Sequence, residues 1–136
     1  HPTDNQWNVN FNLALPSFRP HIAGVLNLTK FSASATFSPP ITFISSIGTV
    51  TNYPSLYDEP RIPEVPFHDP KIAAEAGYSE SKWIAERLLQ EAGKRGVGSN
   101  ILRVGQIAGP VENGTKERGE WNRNEWFPSV SPFVVY

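Results

Sequence analysis

The chain contains no cysteine and no methionine among its 136 residues. The absence of cysteine excludes a disulfide framework, a thiol nucleophile and a thiolate metal site. It also fits a reducing compartment, so a cytoplasmic location is expected. Basic excess is missing as well: 12 Lys+Arg stand against 13 Asp+Glu, a net charge of −1. A surface built to hold a phosphate backbone needs the opposite, so nucleic acid is not an expected partner. No run approaches the ~20 apolar residues that cross a bilayer, and no basic-then-apolar leader is present. Three scattered histidines, His1, His21 and His68, predict no metal site. Methionine is missing even at the start, where the chain opens on His1, so a piece of a longer reading frame is expected.

What is present is enough for a core, since 39% of the residues are hydrophobic and 12% aromatic. The 13 prolines punctuate the chain, because each fixes φ and lacks an N–H. Between them, Ser17 to Ser34 reads as a helix with Ser17 as N-cap and Ile22, Val25, Leu26 and Thr29 as its buried stripe. Ile41 to Ile44 reads as a strand covered on both faces. Ser45 to Asp69 reads as a long functional loop. Ser79 to Arg95 is the clearest helix, with Ile84, Ala85, Leu88, Leu89 and Ala92 on one face. Glu80, Glu86, Arg87, Gln90 and Lys94 fall mostly off that face, and Gly96 suits the C′ position. Asn100 to Val104 reads as a second strand, with a third possible around Val9 to Leu13. Helix, strand, loop, helix, strand is an alternating α/β order and predicts a parallel sheet. Beyond Gly109 the chain is polar and irregular; Trp121 and Trp126 there cover the core or line an entrance, and Asn113-Gly114-Thr115 reads as a turn.

Three groups of residues carry possible chemistry. Tyr78 and Lys82 are four apart at a helix start and share a face. An ammonium beside a phenol favours the phenolate, so Lys82 is expected to pull the Tyr78 pKa down from ~10. Such a pair can exchange a proton with a carbonyl or alcohol oxygen; the plainer reading is an aromatic beside a solvated lysine. Ser45 and Ser46 follow the first strand at its carboxyl end, where ligands of open α/β sheets bind. Either serine can hold a substrate oxygen there, or the two form an ordinary turn. Gly105 and Gly109, just past the second strand, let backbone approach a flat ring, or simply turn the chain.

Taken in order, Phe43-Ile44-Ser45-Ser46-Ile47-Gly48-Thr49-Val50, then Tyr78-x-x-x-Lys82, then Leu102-Arg103-Val104-Gly105-Gln106-Ile107-Ala108-Gly109-Pro110 resembles the extended short-chain dehydrogenase/reductase superfamily. Within it the chain is similar to the thioester reductase domains of fungal non-ribosomal-peptide-synthetase-like enzymes, aminoadipate reductases and carboxylic acid reductases. Trp7 to Leu13, His21 to Leu28, Gly77 to Leu89 and Glu125 to Ser129 carry this narrower likeness. The resemblance implies a portion of a Rossmann-like doubly wound parallel sheet. It implies Ser46 as the triad hydroxyl, with Ser45 the alternative, Tyr78 as proton donor, and Lys82 as the residue that lowers the tyrosine pKa and holds the cofactor ribose. Gly105, Gln106 and Ile107 would border a nicotinamide. The implied reaction is hydride transfer from NADPH to an acyl thioester on a phosphopantetheine arm of a carrier domain, giving an aldehyde or, after a second reduction, an alcohol.

The chain departs from that pattern too. No G-x-x-G-x-x-G or G-x-G-x-x-G occurs in it, so the turn that cradles the pyrophosphate is not among these residues. Residues 1–136 are therefore expected to be a partial NAD(P)-binding reductase domain, without the Gly-rich strand–turn–helix and without the substrate lobe. The rival expectations are a degenerate fragment that only binds, or an extended short-chain dehydrogenase acting on a ketone or alcohol.

Overall fold

The computed structural model describes residues 12–106. Contacts divide the chain into one unit over His1–Gly105 and another over Gln106–Tyr136. The fold below belongs to the first. Most of the Val9 to Leu13 segment, Ile107, Gly109, Trp121 and Trp126 lie outside the described residues.

A 3₁₀ turn over Leu15–Phe18 leads into helix α1, Arg19–Ser34. Strand β1 spans Ile41–Ser46, helix α3 Gly77–Gly93 and strand β2 Ser99–Val104, with the short helix α2, Tyr53–Tyr57, between β1 and α3. β1 and β2 pair in parallel, Ile41 beside Ser99 and Ser46 beside Val104. The result is an α/β unit in which α3 connects two neighbouring parallel strands, a piece of a Rossmann-like sheet.

Both long helices pack on one face of the sheet. Val25 of α1, Phe43 of β1 and Ala85 and Leu89 of α3 form the core, with Ile41 and Ile101 against it. That explains one difference from expectation. β1 alternates: Phe43 and Ser45 are buried, whereas Ile44 is 52% exposed. Among the described residues the sheet is covered on one side only, so its continuous apolar character does not mean two covered faces here. Ser17 also differs: the 3₁₀ turn begins ahead of it, Phe18 caps α1 without a side-chain hydrogen bond, and Pro16 and Pro20 occupy first-turn positions that need no donor.

The end of α3 matches its reading. Val97 N–H returns to Ala92 C=O (3.1 Å) and Gly96 N–H to Gly93 C=O (3.1 Å), with Gly96 at φ +92°. This is a Schellman closure, and its left-handed residue is the glycine expected at C′. The 45–69 stretch is more ordered than a bare loop. It holds a 3₁₀ turn at Ile47–Thr49 as well as α2, and a further turn, Pro70–Ile72, follows it. Asn52 ties the stretch down by donating its amide to the carbonyls of Lys71 (3.2 Å) and Ala73 (2.8 Å).

Candidate active site

The carboxyl end of β1 and the amino end of α3 meet. Gly48 permits this approach, and Gly77 a second one at the start of α3. A Cβ on Gly48 would lie 2.5 Å from Ser79 Oγ, and one on Gly77 would lie 2.4 Å from backbone atoms of Ala14 and Leu15. Gly48 thus marks where the turn after β1 is pressed against the first turn of α3, and Gly77 marks where the chain at residues 13–15 is pressed against the start of α3. This brings Ser46, Tyr78 and Lys82 into one cluster.

Ser46 Oγ accepts from the Gly48 N–H at 3.1 Å, capping the Ile47–Thr49 turn, and its hydroxyl faces the Tyr78 side chain. The Tyr78 ring is half-buried and packs edge-on against Phe18, 6.1 Å between centroids. Lys82, 6% exposed, donates from Nζ to the Ile44 carbonyl at 2.7 Å. Its ammonium lies 4.8 Å from the Phe43 ring centre and 5.8 Å from that of Tyr78. Beside it opens a cavity of about 460 Å³ walled by Pro20, His21, Gly24, Phe43 and Ile44.

The titration of the pair runs against the simplest expectation. Burial holds the Tyr78 phenol above its ordinary value, and the Ser46 hydrogen bond opposes this with a smaller effect. The Lys82 Nζ is directed at the β1 backbone, with the Phe43 and Tyr78 rings beside it. Burial lowers Lys82 itself to about 8. At neutral pH the phenol is therefore protonated and the lysine mostly charged.

The two serines part company. Ser45 is 3% exposed and donates to Glu86 Oε1 at 2.5 Å, in a buried group with Thr49 and Arg103. Only Ser46 joins Tyr78. Gly105 lies exposed just past β2, where a Cβ would meet Ile47 methyls at an ordinary 3.9 Å. That spacing does not require a glycine. Gln106 is exposed and belongs to the second unit. Among the described residues no group of three His, Asp or Glu forms a metal site. No described helix is long and apolar enough to cross a membrane.

Glu86 escaped the sequence reading. It was placed off the apolar face of its helix, yet it is 1% exposed. Its signal lay in β2, where Arg103 stands between Leu102 and Val104. A cation inside a short apolar strand needs a buried partner.

Comparison with known proteins gives the family. A family model described as Male sterility protein, of NAD-binding type, matches residues 8–133. The chain is 46% identical over 97% of its length to a carboxylic acid reductase of Neurospora crassa. It is 39% identical over its full length to an adenylate-forming reductase of Heterobasidion annosum, and 29% identical over 98% to one of Aspergillus terreus. It spans only 12%, 12% and 13% of those three proteins. The chain belongs to the NAD-binding Male sterility protein family.

Proposed function

We propose that these residues form the proton-donating and carbonyl-orienting part of an NADPH-dependent reductase that converts a carrier-bound acyl thioester to an aldehyde. The observation that carries this is the placement of the Ser46 hydroxyl beside Tyr78, with Lys82 buried one turn further along the same helix. The reductases among the relatives support the reaction class.

The residues present fit one end of a dinucleotide. Lys82 stands at the wall of an open cavity beside Tyr78, which suits a ribose hydroxyl. The pyrophosphate cradle is not encoded in these 136 residues, so only the ribose and nicotinamide end is assigned to them. When bound, the nicotinamide supplies hydride. As a thioester carbonyl becomes tetrahedral, its oxygen gains negative charge. The hydroxyls of Ser46 and Tyr78 then hydrogen-bond that oxygen and stabilise it. A phenol kept protonated by burial is suited to donate its proton there. The resulting hemithioacetal breaks its C–S bond, giving aldehyde and the free thiol of the arm. The Lys82 ammonium stabilises the phenolate left behind.

The test uses the full-length protein, an acyl thioester on its carrier and NADPH oxidation at 340 nm. Tyr78→Phe abolishes reduction and leaves NADPH affinity nearly unchanged. Full activity in that variant removes Tyr78 from the mechanism. Turnover of a free ketone but not of the thioester would move the chain to the ketone and alcohol oxidoreductases of the wider superfamily.

A further inference from the structure

We propose that Glu86 is a positioning residue for this site: its buried carboxylate clamps the Ser46-bearing end of β1 to the helix that carries Tyr78 and Lys82. The inference rests on the reductase reading above and adds to it a residue that touches neither substrate nor cofactor.

Glu86 lies one turn beyond Lys82 on α3 and is 1% exposed. Its Oε1 accepts from Ser45 Oγ at 2.5 Å, from Thr49 Oγ1 at 3.0 Å and from Arg103 Nε at 3.1 Å. Its Oε2 accepts from Arg103 Nη2 at 2.7 Å. One carboxylate thus joins α3, the end of β1, the turn after it, and β2. A buried carboxylate so fully hydrogen-bonded has no freedom to drift, since losing any partner leaves charge uncompensated.

The clamp closes around Ser46. The side chain of the preceding residue, Ser45, is held by Glu86. The Ser46 carbonyl accepts from Thr49 Oγ1 at 2.8 Å, and that hydroxyl shares its proton with Glu86. With both of these points fixed, the direction of the Ser46 side chain is fixed relative to α3. Since Tyr78 rides on the same helix, Glu86 sets the Ser46–Tyr78 separation. Arg103 extends the clamp outward: its guanidinium also donates to the Val65 carbonyl at 3.4 Å and lies 5.1 Å from the Phe67 ring centre. The loop between α2 and α3 is anchored through the same ion pair.

A carboxylate that merely stabilised the fold would change how many molecules are folded, not how each one works. A positioning group lowers kcat in molecules that remain folded, because a displacement of about 1 Å costs up to ~100-fold. The experiment compares wild type, Ser45→Ala, Glu86→Gln and Tyr78→Phe in the full-length protein. Thioester reduction, the NADPH dissociation constant by fluorescence titration, and circular dichroism are read on each. The expected result is a kcat loss of about tenfold for Ser45→Ala and ~10- to 100-fold for Glu86→Gln, with the NADPH dissociation constant within about twofold of wild type. If Glu86→Gln does not fold, Ser45→Ala decides, because it cuts the strand arm and leaves the Glu86–Arg103 pair intact. Wild-type kcat in folded Ser45→Ala and Glu86→Gln, with Tyr78→Phe inactive, overturns the positioning role and leaves the reductase reading standing. A wild-type protein that never reduces the thioester overturns both.

Discussion

Replacing Gly77 with alanine gives a sharp test of how the site is assembled. Gly77 starts α3 and directly precedes Tyr78. Its φ is not positive, so an alanine backbone is unstrained there, and the effect is purely one of space. The new Cβ would sit 2.4 Å from Ala14 C and Leu15 N and 2.5 Å from Leu13 O, where ordinary contact begins at 3.4 Å. The 3₁₀ turn and the first turn of α3 must separate by about 1 Å, and all three obstructing atoms are backbone, so no side chain can swing aside. Overpacking of this kind costs about 1–3 kcal/mol. Alanine returns up to ~1 kcal/mol through helix propensity, and less at a helix start. The same 1 Å displaces Tyr78 from Ser46, for a kcat loss of up to ~100-fold. Hydrogen exchange of α3 peptides in the full-length protein reads the stability locally. Gly24→Ala is the internal control. No atom lies within 4 Å of its added Cβ, so it stabilises α1 by about 0.5–1 kcal/mol. A Gly77→Ala protein with unchanged α3 exchange and wild-type kcat refutes the close approach.

Other expectations follow from the same geometry. Lys82 in the folded protein titrates near 8, so reduction falls as pH rises through about 8; in Lys82→Arg, always charged, the fall moves to higher pH. A flat wild-type profile from about pH 6.5 to 9.5 refutes that assignment of the charged form. For stability the sign is opposite. The unfolded chain binds this proton more tightly, so the penalty for burying the ammonium is full below about 8 and is relieved as pH climbs toward 10.5. Leu89→Ala, at a 0% exposed core position, costs about 2–5 kcal/mol in the exchange of α3 and β1; a loss under 1 kcal/mol contradicts the core described. Arg103→Met strands the Glu86 carboxylate and costs about 3–5 kcal/mol, whereas the double variant Glu86→Leu/Arg103→Met is milder than Arg103→Met alone. Additive losses in that cycle refute a coupled pair.

Both strands, both long helices and the closure at Gly96 were legible in the sequence, because each rests on local signals: β-branched runs, a helical stripe, a glycine at C′. So was the meeting of Tyr78 and Lys82, which needs only one helical turn. What escaped is non-local. Whether Ser45 or Ser46 faces Tyr78 depends on strand register against α3, and adjacent strand residues point to opposite faces. Glu86 is polar and looks solvated until β2 brings Arg103 beside it. The direction of the Tyr78 shift follows from burial of its ring, and spacing four residues apart does not determine that. The expected cover on both faces of β1 rested on composition alone, and composition does not count layers.

The exposed apolar residues of the sheet have a practical consequence. Ile44 and Leu102 are neighbours in register, 52% and 49% exposed, on a ladder of two strands. Each strand has a single hydrogen-bonded neighbour among the described residues. An apolar ribbon whose margins are unpaired among the described residues templates strand pairing with other chains. Expressed as a separate piece, these residues should accumulate as β-rich aggregates, and a lysine at position 44 or 102 should raise the yield of monomer by interrupting that template rather than by strengthening the fold.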